Sequence, residues 1–532
     1  MTINYAKVAK PNTQDSPLPN KQMVKNSDGL YVFGVDKFKK LDRFLILGSE
    51  GGSYYASQQN LTKECMQSVM DCLTEDGVRT VNRIVEISVA GRAPKPEPAI
   101  FALALATKGF DAATTKAALS AIPKVCRTAT HLFTFIDYRK QFGGWNRSLR
   151  NAVSAWYNDK SQEDLAYQML KYRQRNGWAH KDVLRLAHPS PPTAQHGLLY
   201  QWAVGKGEAN DVVLVHAFNE IQALKSESAK DVKKACELIK QHRMSREFLP
   251  TELLTNNKVW EALLEDMPMT AMVRNLGVMT KNGLLCAGSD ATRTVLSHFR
   301  NVEKLKKSRI HPLTLLNALT TYSSGHGLKS DGVWTPVQSI VDALDEAFYA
   351  SFGNVEPTNK RMCIALDVSG SMTWGTIAGS SLTPAVASAA LALVTSRVEK
   401  DCSIFGFGGT LEEIRISSRM RLDDVVKAMN SIRMGSTNCS LPMLHAKENH
   451  LKFDAFSIYT DSETNHSGSP HPCVCLQDYR KSSGIADAKL IVVGMMANDF
   501  SIADDNDPFS LDVVGFDLAT PELISGFVRG DF

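Results

Sequence analysis

Asp367, Ser369 and Ser371 stand at alternate positions where a short apolar run ends, in RMCIALDVSGSM at residues 361–372. A buried strand ending this way delivers one carboxylate and two hydroxyls onto a single loop. Three hard oxygen donors gathered there suit a small divalent cation, above all Mg²⁺. Two more oxygen donors follow, Thr437 in GSTNCS and Asp461 at the end of AFSIYTD.

These side chains need a scaffold, and residues 361–532 supply its pattern. Apolar runs at 363–366, 402–407, 455–460, 490–495 and 512–516 read as strands. The segments 384–398 and 422–432 between them read as helices. Such alternation predicts an α/β doubly wound domain, a parallel sheet covered on both faces. Ligands of these sheets bind at the carboxyl ends of the strands, near the point where strand order reverses. The set Asp-x-Ser-x-Ser, then Thr, then Asp resembles the metal-ion-dependent adhesion site of the von Willebrand factor A family. That resemblance implies Ser369, Ser371 and Thr437 as ligands, direct or through water, with Asp367 and Asp461 balancing charge and orienting them. It also implies that a protein ligand's oxygen can complete the metal's shell.

At 532 residues the chain is too long for one core, so two or three domains are expected. No apolar run reaches the 18 or so residues of a membrane span. The first 25 residues are polar and Pro-rich with no apolar signal core, and read as a flexible tail. Ten cysteines lie scattered without disulfide or zinc spacing. Buried thiols in a reducing, cytoplasmic setting are the natural reading.

The net charge of +4 divides unevenly. Residues 361–532 hold 14 Lys and Arg against 21 Asp and Glu, whereas residues 1–360 hold 46 against 35. Within the basic part, residues 124–188 carry 12 cations and 5 carboxylates. Apolar residues three or four apart, in segments such as AIFALALATKG and VWEALLEDM, predict many short amphipathic helices over residues 26–358. Helix pairs stacked as an α-solenoid fit that pattern, with the A-type domain at 359–532 and a joint at 352–360.

The basic stretch interleaves its cations with aromatic residues, among them Phe133, Phe135, Trp145, Trp156, Tyr157, Tyr172 and Trp178. Cations neutralise phosphates and flat rings stack on unpaired bases; the same rings also serve as core. A helix through LKYRQRNGW would put Lys171 and Arg175 on one face. The next helix, KDVLRLAH, would align Lys181, Arg185 and His188. Lys140, Arg147 and Arg150 form a third patch around the Gly143–Gly144 turn, and His131 is a further candidate for phosphate or base edges.

RFLILGSEGGSYY (43–55), THLFTFIDYRK (130–140), KYRQRNGWAHKDVLRLAH (171–188), MPMTAMVRNLG (267–277) and RIHPL (309–313) look like segments of the Ro autoantigen, or TROVE-module, family. The trailing DVSGS domain fits the same family. The resemblance implies a ring of HEAT-like repeats closed by the A-type domain. It implies small noncoding Y RNAs on the outer basic surface and single-stranded RNA 3′ ends in the ring's hole. It further implies roles in RNA quality control and stress survival, with an exoribonuclease partner in bacterial members. Carried onto this chain, the Y-RNA surface takes in Lys171, Arg175, Arg185 and His188, with His131 and Lys140 as neighbours.

The sequence thus favours a non-catalytic RNA-binding scaffold. The competing reading is a protein-interaction module in which the A-type domain captures a partner's carboxylate through its metal. A metal-dependent hydrolase is a third reading. It lacks an adjacent His or Lys base, although His445 and His466 lie downstream of the Thr and Asp loops.

Overall fold

A computed structural model describes residues 13–48, 58–327, 332–352, 356–377, 380–417, 420–432, 435–496, 498–516 and 519–531. Part of the RFLILGSEGGSYY segment, residues 49–55, and residues 353–355 of the expected joint lie outside the described residues. The chain divides into two compact units. One comprises residues 1–71, 92–95 and 352–532; the other comprises residues 72–91 and 96–351.

The first unit begins with strands β1 (Met23–Lys25) and β2 (Tyr31–Gly34). The second unit's only described strands are the two-residue β3 (Gln174–Arg175) and β4 (Trp178–Ala179). The first unit then continues with β5 (Met362–Asp367), β6 (Cys402–Phe407), β7 (Leu411–Glu413), β8 (Ala455–Thr460), β9 (Lys489–Gly494), β10 (Phe500–Ser501) and β11 (Ser510–Val514). Its main sheet has the order β11-β9-β8-β5-β6-β7, parallel except for β7. The chain leaves β5 to build one flank and returns to build the other beside it. The gap between β5 and β8 is therefore the topological switch point, where the loops after the two strands diverge. All six residues of β5 and of β8 are buried, as a strand covered on both faces requires. Helix Pro384–Val398 starts on a Thr383 cap with Pro at its first position, and its apolar run is almost wholly buried.

The expectation of a flexible tail through residue 25 is corrected for residues 13–25. Strand β1 pairs with β2, and β2 pairs with β10 of the A-type unit. Val32 joins the main core of that unit, while Leu18 and Phe33 pack on Cys473. Arg43 of helix Lys37–Leu47 is 2% exposed and pairs with buried Asp512 at 2.8 Å. The segment from 13 to 47 thus packs as part of the A-type unit.

The second unit is helical throughout, apart from the β3–β4 hairpin, the 3-10 turns and loops. Helices pack on partners one to three places away in the sequence. Glu97–Ala106 lies on Ala129–Phe142, Ala112–Val125 on Arg147–Asn158, Ala229–His242 on Asn257–Glu265, and Pro312–Ser324 on Gln338–Ala350. Such nearest-neighbour stacking is the signature of a helical-repeat array. Side-chain caps punctuate it: Asp111, Thr128, Asn146, Ser161, Thr193 and Ser228 each accept an N–H from the first turn they precede. Where helix Gln58–Ala90 breaks at Asp76, Gly77 lets Thr114 approach so closely that a Cβ there would overlap its hydroxyl.

Candidate functional site

Asp367 ends β5 fully buried, and both its oxygens are engaged. Oδ1 accepts the Ser369 N–H at 2.9 Å, and Oδ2 accepts the Thr460 hydroxyl at 2.6 Å. The Ser369 and Ser371 hydroxyls lie 3.0 Å apart. Asp461, one residue past β8, is 4% exposed and accepts the Glu463 N–H at 3.0 Å. The Thr437 loop is bound to the same region: its carbonyl accepts from Asn465 N–H at 3.0 Å and from the Thr464 hydroxyl at 3.1 Å. Its own N–H donates to Asn465 Oδ1. The β5, Thr437 and β8 loops thus converge at the switch point, as the sequence pattern predicts.

The electrostatics there are unbalanced. Burial, with Asp461 close by, pushes the Asp367 carboxyl well above the usual carboxylate range. Burial likewise raises Asp461, against the pull of the Ser371 hydroxyl. Neither carboxylate has an ion pair among the described residues, and the Thr437 hydroxyl is buried without a partner. Two uncompensated carboxylates and an orphaned hydroxyl beside two serine hydroxyls form a hard, anionic oxygen set, which fits a small divalent cation. No cluster of three His, Cys, Asp or Glu side chains with ligand geometry occurs among the described residues. A donor set dominated by hydroxyls accounts for that.

Sequence reasoning missed the residues that hold these loops. Glu463 is 4% exposed and accepts the Ser27 hydroxyl at 2.8 Å; burial pushes it up to about 8. Asn26 donates to the Thr464 carbonyl at 2.6 Å, and Gln14 accepts the Thr464 hydroxyl at 2.9 Å. These partners lie more than 430 residues apart, so no local pattern signals them. His466 is engaged with the Ser436 hydroxyl at 2.7 Å, and His445 lies against Phe405.

The basic candidates fall on the helical unit. Helix Gln162–Lys171 stops at Lys171, so Lys171 and Arg175 do not share a helix face as expected. The Asn176–Gly177 pair, at φ 51° and 77°, turns the chain back as a β-hairpin. Both central residues need positive φ, which Asn-Gly supplies. This dipeptide was the overlooked signal. Arg175 sits exposed on strand β3, and Trp178 on β4 lies 5.8 Å beneath the Lys140 ammonium. Lys171 bonds the Tyr167 hydroxyl at 3.0 Å, with its ammonium over the Tyr167 and Tyr172 rings. Arg173 covers Phe218 at 4.6 Å.

Lys181 and Arg185 are exposed one turn apart on helix His180–Ala187, and His188 caps it at φ 48°. Arg147 and Arg150 are exposed in the first turn of Arg147–Asn158. His131 departs from its expected neighbourhood. It begins the helix whose far end carries Lys140, about 14 Å away at 1.5 Å per residue. Burial and the Arg127 cation hold its imidazole down to about 4, in the neutral form. Phe133, Phe135, Trp156 and Tyr157 are fully buried, so their role is core. A second unforeseen residue is His180, buried between the Tyr157 hydroxyl at 3.0 Å and the Tyr172 carbonyl at 3.1 Å. It ties the hairpin to the helices behind it.

Among the described residues, no Lys or Arg between 124 and 188 pairs with a carboxylate. Flanking segments do contain pairs, such as Arg83–Glu86 and Lys234–Glu220. Seven of the ten cysteines are buried and all are free thiols. Among the described residues no helix is long and apolar enough to cross a membrane.

Known proteins resemble the chain along most of its length. Residues 361–528 match the Ro60 vWA domain, and residues 24–244 and 222–325 match the TROVE domain. The Caenorhabditis elegans protein named RNA-binding protein RO60 is 37% identical, over 95% of this chain and 90% of its own. The protein of that name from Deinococcus radiodurans is 38% identical over 96% of each. The crystal structure of the Deinococcus radiodurans Ro (RSR) protein superposes with a TM-score of 0.70 at 36% identity, covering 93% of this chain and all of that one.

Proposed function

From the premise that the chain belongs to the Ro60 family, whose curated members are named RNA-binding proteins, we propose that it is a non-catalytic RNA-binding scaffold. The observation that carries this is the run of cations over 124–188 left without carboxylate partners. A surface that served only as a solvated face would balance both signs, whereas this one sets 12 cations against 5 carboxylates. This one is free to exchange its counterions for phosphates. Lys171, Arg175, Lys181, Arg185 and His188, with Lys140, Arg147 and Arg150, would hold a small noncoding RNA of the Y type by shape and backbone contacts. Single-stranded 3′ ends of misfolded RNA would be gripped by cations and ring stacking, with little sequence preference. Work in RNA quality control and stress survival, beside an exoribonuclease in the cytoplasm, belongs to the same proposal.

The test is a salt titration of RNA binding by the wild type and by Lys171→Ala/Arg175→Ala. The double variant should bind roughly tenfold or more weakly, with a log–log salt slope shallower by about two. Equal affinity and equal slope would refute the assignment of the hairpin face.

A second role sits beside the first, supported by the uncompensated Asp367–Asp461 pair and the orphaned Thr437 hydroxyl. Ser369, Ser371 and Thr437 would hold Mg²⁺, with Asp367 and Asp461 balancing its charge. Once bound, the ion would offer a Lewis-acidic position to a protein ligand's carboxylate. Mg²⁺ at a hundred times its Kd should stabilise the wild type by about 2.7 kcal/mol. Asp367→Ala should show no Mg²⁺ response in the same melt. An equal response in both would remove the site from this reading.

A further inference from the structure

Arg139 is 6% exposed, and its guanidinium meets no acceptor. Nε and Nη1 are shut away from solvent without a hydrogen bond, and no carboxylate pairs with it among the described residues. Elsewhere the chain treats a buried guanidinium differently. Arg43, also buried, pairs with the Asp512 carboxylate and donates both Nη groups, to Asp512, Asn498 and Phe500. A buried cation without a counter-charge is costly, and a purely structural position would be served better by an apolar side chain.

The surroundings of Arg139 indicate what it awaits. It lies in the last turn of helix Ala129–Phe142, and its Nη1 sits 2.9 Å from where a Cβ on Gly143 would stand. Any other residue at 143 would push against the guanidinium. Gly143 also holds φ 152°, which side chains disfavour. Gly143 and Gly144 are exposed, and nothing lies within 4 Å of a Cβ built on Gly144. The N–H groups of Gly144 and Trp145 meet no acceptor among the described residues. The next helix, Arg147–Asn158, begins immediately after, with exposed Arg147 in its first turn and Lys140 next to Arg139 in the chain. The turn therefore joins two free N–H donors to a recessed guanidinium with no anion of its own.

We propose that Arg139 and the Gly143–Gly144 turn form a seat for one phosphate group, filled by a backbone phosphate of bound RNA. This rests on the RNA-binding reading and adds to it a recessed contact, distinct from the exposed cations around it. A recessed guanidinium fixes one phosphate in position, whereas exposed lysines attract many without fixing any.

The experiment compares wild type with Arg139→Met and Arg139→Lys. Each is titrated with a labelled RNA hairpin bearing a single-stranded tail, over a range of salt, and each is melted without RNA. Arg139→Met should bind about tenfold more weakly, with a salt slope shallower by about one. It should melt at the wild-type temperature or above it, because it loses no partner and sheds a buried charge. Arg139→Lys should recover part of the affinity. Inorganic phosphate at constant ionic strength provides the second arm. A rise in wild-type melting temperature, absent in Arg139→Met, would mean that a free anion also fills the seat. No rise, with the RNA effect intact, would mean that only polymer-borne phosphate fills it. Wild-type affinity in Arg139→Met, or a lower melting temperature or failure to fold in that variant, would overturn the seat and leave the RNA reading standing. Failure of the wild type to bind RNA would instead strike the RNA reading itself.

Discussion

Arg43 and Arg175 carry the same guanidinium into opposite surroundings. Arg43 is sealed in the A-type unit, its Nη1 and Nη2 matched by the Asp512 carboxylate, the Asn498 side chain and the Phe500 carbonyl. Arg175 stands exposed on a two-residue strand with no acid beside it. The contrast extends to the two units. In the A-type unit, long-range polar contacts lock residues 13–47 onto the far end of the chain. In the helical unit, the cations over 124–188, Arg139 apart, are displayed rather than matched. Matched charge organises a fold, and unmatched charge is available to a partner. The same residue type should therefore report on stability in one region and on binding in the other.

The largest expected effect follows from breaking the matched side. Arg43→Ala leaves Asp512 buried without a counter-charge, held only by the Ser501 hydroxyl, and should cost about 3–5 kcal/mol in a denaturant titration. Loss of less than about 1 kcal/mol would show that the pair does not secure the N-terminal segment.

The next effect sharpens the comparison through pH. His180 is buried neutral at 5% exposure, its imidazole lowered to about 4 by burial. An unfolded chain protonates that ring near pH 6.5, while the folded one resists until about pH 4. The unfolded state thus binds more protons in this window, so stability is full above pH 6.5 and drains as pH falls toward 4. The loss should be on the order of 3 kcal/mol. His180→Gln should lose this share of the acid limb and keep the share of His131, lowered likewise to about 4, measured as the pH dependence of unfolding. An identical acid limb in the variant would place the titration elsewhere.

The smallest stability effect belongs to the displayed cations. Arg185→Ala should change stability by no more than about 0.5 kcal/mol, yet weaken RNA binding severalfold in an anisotropy titration. A stability loss above 1 kcal/mol with unchanged RNA affinity would reverse the assignment of the two regions.

Much of this was legible in the sequence wherever the signal was local. Asp367, Ser369 and Ser371 announce themselves because a strand's two-residue period and its end both fall within six residues. The strands at 402–407 and 455–460 and the helix at 384–398 have the bounds that their apolar runs predict, since most of each run is buried. Local pattern also misled. A four-residue spacing suggested a helix through Lys171 and Arg175, while Asn176–Gly177 demanded a turn. The bracing of the metal loop by Gln14, Asn26 and Ser27 left no trace in either segment alone, because it exists only once the chain's two ends meet. Arg139 escaped for a related reason. Nothing in YRKQFGG distinguishes a buried arginine from the exposed lysine that follows it.

Photocrosslinking of bound RNA to the full chain, followed by mass spectrometry of the attached peptides, addresses the central claim most directly. Adducts should concentrate on peptides from residues 124–188, above all those spanning Lys140, the 171–178 hairpin and Arg185. Adducts gathered instead on residues 361–532, with 124–188 unmarked, would contradict the account.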